Sequence, residues 1–226
     1  MNAIILAAGL GTRLRPLTDD RPKALVKIGG ESFFERQLRQ LRASGVNIIT
    51  VVTGYKAEAF DPWRRDPDVQ FLHNEHYGDR NNIWSMYLVR DRLPSSLVLE
   101  GDVRLAEGIL PSTAPSKSCV FVGRREDMRN EWVVHAGESG RVETIVPSSG
   151  AGWILAGISF WTAREGSEMA RLLEESIRLP GWEQLFWDDV YRLHLDRLDL
   201  YVSRIKPGDW VEIDTLDDFR LFERSV

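Results

Sequence analysis

The chain has 226 residues, of which 43% are hydrophobic and 28% charged, and it carries a net charge of −5 with a pI near 5.5. That length suffices for one large domain with a substantial core, and the acidic balance speaks against a nucleic-acid partner, which calls for a basic surface. The single cysteine, Cys119, excludes an internal disulfide, no Cys and His cluster has zinc spacing, and no apolar run approaches the length of a membrane span. The N-terminus enters a core strand at once and leaves no room for a signal peptide, so the expected compartment is the cytoplasm.

The apolar run Ala3, Ile4, Ile5, Leu6 predicts a buried strand of a parallel sheet. Ala7, Ala8, Gly9 and Gly11 follow, small residues that leave backbone N–H groups unobstructed for an oxyanion or a base. Arg13, Arg15 and, after a turn, Lys23 then supply positive charge, a combination that suits a triphosphate. The dinucleotide fingerprint GxGxxG fails at Leu14, and no GxxxxGK[ST] phosphate loop is present. Residues 32–44 read as a helix, with Ser32 as N-cap, Phe33, Phe34, Leu38 and Leu41 on one face, and Gly45 as the stop. The β-branched run 46–53 predicts a second buried strand, so the first fifty residues form a parallel crossover with the glycine-rich loop at the strands' carboxyl edge.

Residues 61–68 read as a surface connection, 69–73 as a short strand, and 82–93 as a helix stopped by Pro94. Residues 97–100 predict a third buried strand, which delivers Asp102 to the same edge as the first loop and makes it a candidate Mg²⁺ ligand. Beyond a loop at 109–117 the pattern changes to short strands (CVFVGRR, EWVVHA, RVETIV, WILAGISFW) separated by GESG and SSGAG, the antiparallel side of a mixed sheet. Helices are expected over 163–179 and 182–194, a strand over 198–205, and a short extended piece over 211–214. Thr215 then caps a last helix, with Asp218 completing a capping box. The whole is one α/β domain over 1–226: a Rossmann-like, mostly parallel nucleotide-binding portion over about 1–110 and an antiparallel acceptor-binding portion over about 111–226.

The pattern LAAGxGTRLxPLT followed by PKAL resembles the signature of nucleotidyltransferases that make nucleoside diphosphate sugars and CDP-alcohols. In such chemistry an anionic phosphate attacks an α-phosphate, so cations and a divalent metal held by carboxylates carry the reaction and no general base is required. Arg13 and Lys23 are the expected catalytic charges, Asp102 and Asp214 the expected Mg²⁺ ligands, and Leu6, Ala7, Ala8, Gly9, Gly11 and Thr12 the expected nucleotide loop. NNIWSMYLV, REDMRNEW, ILAGISFW, FWDDVY and VEID extend the resemblance over nearly the whole chain, to the bacterial CTP:phosphocholine cytidylyltransferase branch of that superfamily with its GT-A-like fold. The resemblance implies CTP as nucleotide, aspartates at the positions of Asp102 and Asp214 holding Mg²⁺, and aromatic side chains with a nearby carboxylate around choline.

A trimethylammonium donates no ordinary N–H bonds and is recognised by aromatic faces and negative charge. Trp132, Phe186, Trp187 and Asp188, with Arg125 and Glu131, are the acceptor-site candidates, while Trp63, Trp84 and Trp210 read as core. The chain departs from the branch at Phe186, where tyrosine is expected, and at Glu100 and Gly101 before Asp102. Three other readings stand beside this one: a CTP:phosphonate cytidylyltransferase acting on an acceptor such as 2-aminoethylphosphonate, a sugar-1-phosphate enzyme, and a nucleotide-binding regulator without turnover. The sequence leaves the oligomeric state open.

Overall fold

The computed structural model of the protein describes residues 1–223. In chain order its strands and helices are β1 (Asn2–Ala7), β2 (Lys27–Ile28), β3 (Glu31–Ser32), α1 (Phe33–Ala43), β4 (Ile48–Thr53), β5 (Val69–His73), α2 (Asn82–Leu88), β6 (Ser96–Glu100) and β7 (Val103–Leu105). The second half continues with β8 (Ser118–Ala136), β9 (Val142–Trp161), α3 (Ala163–Ser176), α4 (Trp187–Leu193), β10 (Leu200–Arg204), β11 (Trp210–Glu212) and α5 (Leu216–Glu223). One seven-stranded sheet, in the order β10-β8-β9-β6-β1-β4-β5, runs through both portions. β1 lies between β4 and β6, parallel to both, with Leu6 level with Val52 and Glu100. β9 joins β6 antiparallel and so begins the mixed side.

The alternation of side chains along β1 divides the core. Ile5 faces Phe34, Leu38 and Leu41 of α1, whereas Ile4 and Leu6 face the opposite layer, built from Ile83 and Met86 of α2, Leu172 of α3 and Trp187, Val190 and Tyr191 of α4. α1 starts with a complete capping box: Ser32 Oγ accepts from the Glu35 N–H at 3.1 Å, and Glu35 Oε2 accepts from the Ser32 N–H at 2.8 Å. Thr215 and Asp218 cap α5 in the same way.

Several elements differ from the sequence-based expectation. Residues 57–63 form 3-10 turns rather than a plain connection, and Trp63 packs edge-on against Phe34 there. The helix expected to reach residue 93 ends at Leu88. Pro94 has no N–H for the Arg90 carbonyl, which takes the Leu93 N–H instead in a 3-10 turn. The helix expected over 182–194 is also split, into a 3-10 turn at Trp182–Gln184 and α4. The Glu183 and Gln184 carbonyls, which a continuous helix would offer to residues 187 and 188, are instead bonded by the Asn81 N–H and side-chain amide at 2.9 and 2.5 Å. The four short antiparallel strands are two long ones, β8 and β9, with register shifts between them, and the Ser148–Gly152 stretch lies within β9 rather than at a turn.

Two features carry Asp102 to its place. The Gly101 N–H bonds the Leu6 carbonyl at 2.9 Å, and the buried Gln37 of α1 donates to the carbonyls of Glu100 and Val103 at 2.8 and 2.9 Å, so the turn after β6 is held from both sides. The short pair β7–β11 sets Glu212 opposite Val103 and thereby brings residue 214 beside residue 102. A Cβ on Gly101 would sit 2.8 Å from the Leu6 carbonyl oxygen and 3.2 Å from Ala24 Cβ. Gly101→Ala is therefore expected to lower stability by about 1–3 kcal/mol in urea unfolding, with overpacking against backbone as the cause.

Candidate active site

Three distant segments meet at the carboxyl edge of β1 and β6. Pro22 sets up the turn Lys23–Leu25, and from it the Lys23 ammonium reaches Asp102 Oδ2 at 2.6 Å and Asp214 Oδ1 at 2.8 Å. Arg13 donates to the same Asp214 oxygen at 3.0 Å from the mouth of the site, where its side chain is 69% exposed. Burial opposes the charge on Lys23, but the two aspartates outweigh it and raise its pKa. Beside this centre lies a cavity of about 170 Å³ bounded by Leu6, Ala7, Ala8, Gly9 and Gly11 on one side and by Asn82, Ser85 and Asp102 on the other. The glycine-rich loop thus faces the cavity as its sequence implies. Thr12 is exposed and does not line it, and Arg15 turns away to Asp19 at 3.5 Å.

The carboxylates form a wider cluster than the sequence suggested. Oxygens of Glu100, Asp102 and Glu212 lie within 4.8 Å of one another. Burial, then Asp102 and Asp188, push the Glu100 carboxyl up to about 8; burial, then Asp102 and Asp214, push Glu212 well above its ordinary value. Asp102 Oδ1 is buried without a hydrogen-bond partner. An unpaired buried carboxylate oxygen is costly, and an all-oxygen donor set matches a hard divalent cation. Glu100, Asp102 and Glu212 therefore fit a metal ion such as Mg²⁺, and Asp214, the other expected ligand, lies outside that trio and joins Asp102 through the Lys23 ammonium.

A second cavity, of about 130 Å³, opens on the other side of Glu100. Trp132, Trp187 and Tyr191 provide its aromatic walls, Glu100, Glu131, Asp188 and Glu212 its carboxylates, and no lysine or arginine among the described residues lines it. Gly157, in the left-handed region at φ 68°, makes the close approach possible: a Cβ there would lie 2.7 Å from Val103 and 3.3 Å from Glu100. The Trp187 indole donates to Glu100 at 3.3 Å. Behind Trp132 stands the Arg192 guanidinium, 4.2 Å from the ring and paired with Asp189 at 2.8 Å, which holds that wall in place. Burial, and next the neighbouring Asp189, push the Asp188 carboxyl up to about 6.

Two acceptor candidates fall outside this cavity. Phe186 is 51% exposed, because it occupies the extended position before α4 while the next residue, Trp187, turns inward. Arg125 stacks 5.1 Å from Trp210 and faces a groove with Asp127 and Arg129 that adjoins this cavity and shares Glu131, Ile154 and Glu212 with it. Trp210 is buried as expected, whereas Trp84 is half-buried in a stack with Tyr87 and Trp182. Residues that sequence reasoning did not place in the site are Glu100, Glu212, Tyr191, Asn82 and Ser85. For two of them a signal existed: Glu100 and Glu212 each precede a selected aspartate by two positions, the spacing that returns a strand side chain to the same face.

An open-backed glycine loop beside a lysine shared by two aspartates defines a transferase that moves a nucleotidyl group. Residues 3–139 match the MobA-like NTP transferase domain. The choline-phosphate cytidylyltransferase of Streptococcus pneumoniae is 36% identical over 100% of this chain and 98% of its own length. The 2-aminoethylphosphonate cytidylyltransferase of Lancefieldella rimae is 33% identical over 99% of this chain and 92% of its own length. A solved structure of the S. pneumoniae CTP:phosphocholine cytidylyltransferase superposes with a TM-score of 0.95, covering 99% of this chain and 98% of that one. The chain belongs to the MobA-like NTP transferases and, within them, to the cytidylyltransferase family these relatives represent.

The raised pKa of Asp188 has a thermodynamic consequence. Its folded-state value of about 6 lies above the ordinary 3.8, so its contribution to stability is complete below pH 3.8 and is lost as pH rises through 6. Ligand-free Asp188→Asn is expected to match wild type near pH 4 and to exceed it by about 1–2 kcal/mol at pH 7.5, allowing for partial solvent screening. Urea unfolding at the two pH values checks this; equal differences at both would remove the cause assigned here.

Proposed function

We propose that the protein transfers CMP from CTP to phosphocholine with the help of Mg²⁺, releasing pyrophosphate. The observation that carries the acceptor assignment is the second cavity, whose aromatic walls and carboxylates, without a lysine or arginine among the described lining residues, suit a quaternary ammonium. Its position beside the nucleotide cavity, with Glu100 lining both, directs the acceptor's phosphate toward Lys23. One acceptor phosphate oxygen attacks the α-phosphorus, the bond between the α-phosphorus and its bridging oxygen breaks, and pyrophosphate leaves with that electron pair. Lys23 and Arg13 oppose the repulsion between the two anions and the charge that grows on the leaving group. Asp102 and Asp214, with Glu100 and Glu212 close by, would hold the magnesium ion, which supplies further charge neutralisation when bound.

A primary-ammonium acceptor such as 2-aminoethylphosphonate is the second reading, favoured by Asp188 and Glu131, whose carboxylates line the acceptor cavity and are able to accept an N–H bond. Phosphocholine is preferred because the aromatic walls serve a cation that donates no such bond. No helix among the described residues is long and apolar enough to cross a membrane, and we place the enzyme in the cytoplasm, where CTP is available.

Pyrophosphate release with CTP, Mg²⁺ and a panel of phosphocholine, phosphoethanolamine, 2-aminoethylphosphonate and sugar 1-phosphates tests the assignment. Phosphocholine is expected to give the highest kcat/KM; a preference for the phosphonate would favour the second reading, and no release with any acceptor alongside tight CTP binding would leave a regulator. Asp102→Asn is expected to lower kcat about a hundredfold or more while the thermal melt remains cooperative; turnover near wild type would remove Asp102 from the metal site. Trp132→Ala is expected to raise KM for phosphocholine about tenfold with little change for CTP. Equal effects on both substrates would contradict the aromatic wall.

A further inference from the structure

We infer that Asn82 is a positioning residue that fastens the acceptor helix to the nucleotide cavity through one carboxamide. Asn82 is the first residue of α2 and lines the nucleotide cavity. Its Oδ1 accepts the backbone N–H of Trp187, the first residue of α4, at 2.9 Å. That N–H is one of the donors a helix start leaves unbonded within the helix, and Phe186 before it has no side-chain acceptor to offer. Because the partner is an N–H, only the oxygen of the carboxamide can face it, so the orientation of the group is fixed and its Nδ2 points elsewhere. The Nδ2 has no hydrogen-bond partner among the described residues, which leaves both of its N–H groups for a nucleotide in the cavity that Asn82 lines.

The consequence lies in what α4 carries. Trp187 and Asp188, the two residues fixed by this bond, are walls of the acceptor cavity, and the Trp187 indole returns to Glu100, which lines both cavities. A shift of the first turn of α4 by the length of one lost hydrogen bond moves both walls together. The flanking contacts reinforce the same joint: Asn81 holds the Glu183 and Gln184 carbonyls at 2.9 and 2.5 Å, and the Arg80 guanidinium lies 4.4 and 5.1 Å from the Trp84 and Trp182 rings. Asn82 differs from these fastenings in facing a substrate cavity as well, and so links occupancy of the nucleotide site to the geometry of the acceptor site.

This inference rests on the cytidylyltransferase reading with phosphocholine, and its test separates the two halves of the carboxamide. Asn82→Asp keeps the oxygen for Trp187 and replaces the amide donor with a second oxygen, whereas Asn82→Ala removes both. In steady-state kinetics Asn82→Asp is expected to hold KM for phosphocholine within about twofold of wild type while raising KM for CTP about fivefold or more; Asn82→Ala is expected to raise both about fivefold to tenfold. A merely structural role would move the acceptor constant equally in the two variants, and that result would overturn the inference, as would an unchanged acceptor constant in Asn82→Ala or an unchanged CTP constant in Asn82→Asp. Thermal melts of both variants confirm folding, and Asn82→Asp remains the deciding variant if Asn82→Ala melts early. Wild-type turnover with phosphocholine is the control: its absence refutes the acceptor reading and this inference with it, whereas its presence with equal acceptor constants in the two variants refutes this inference alone.

Discussion

The ammonium of Lys23, held at 2.6 and 2.8 Å by Asp102 and Asp214, is the constraint around which the rest of the structure is arranged. A cation this enclosed is stable only with close anionic partners, and the carboxylates crowded about it tolerate ionisation only beside a cation. Each partner arrives by a different device. Lys23 follows a proline-led turn after the glycine loop, Asp102 a glycine turn strapped to β1 and to Gln37, and Asp214 the short pairing of β11 with β7. A nucleotidyl transfer that brings one anion against another needs positive charge waiting at the point of contact, and the fold delivers it there.

Glu100 marks the division of labour on either side of that centre. One cavity is walled by backbone-rich loop and small residues, the other by indole and phenol rings among carboxylates, and Glu100 lines both. The two cavities thus differ in chemistry while sharing a boundary: the first has a cation at its edge, and the second, without a lysine or arginine among its described lining residues, suits a cationic group. The α2–α4 joint at Asn82 ties the walls of one to the other through the core of the molecule.

Much of this was legible in the sequence where local chemistry decides the outcome. The strands around β1 announce themselves as unbroken apolar runs, the N-cap of α1 is spelled in Ser32 and the capping box of α5 in Thr215 with Asp218, and the loop from Ala7 to Lys23 carries its chemistry in small residues followed by cations. What escaped was set by partners far away in the chain. The interruption before α4 is made by Asn81 taking two carbonyls about a hundred residues downstream, so apolar periodicity alone joined the pieces into one helix. Phe186 and Trp187 are neighbours of similar character, and only the extended backbone at Phe186 decides which ring turns inward. Tyr191 reaches the site through the packing of α4, which no spacing in its own segment declares.

The central claim is that the carboxylates which hold Lys23 are the ones that receive the divalent ion when nucleotide is bound. Electron paramagnetic resonance of Mn²⁺ titrated into the protein with CTP present, compared between wild type and Asp214→Asn, tests it most directly. The account predicts an ion held by the wild-type complex and an affinity lower by about tenfold or more in the variant. Equal Mn²⁺ binding by the two proteins, with CTP affinity unchanged, would contradict it.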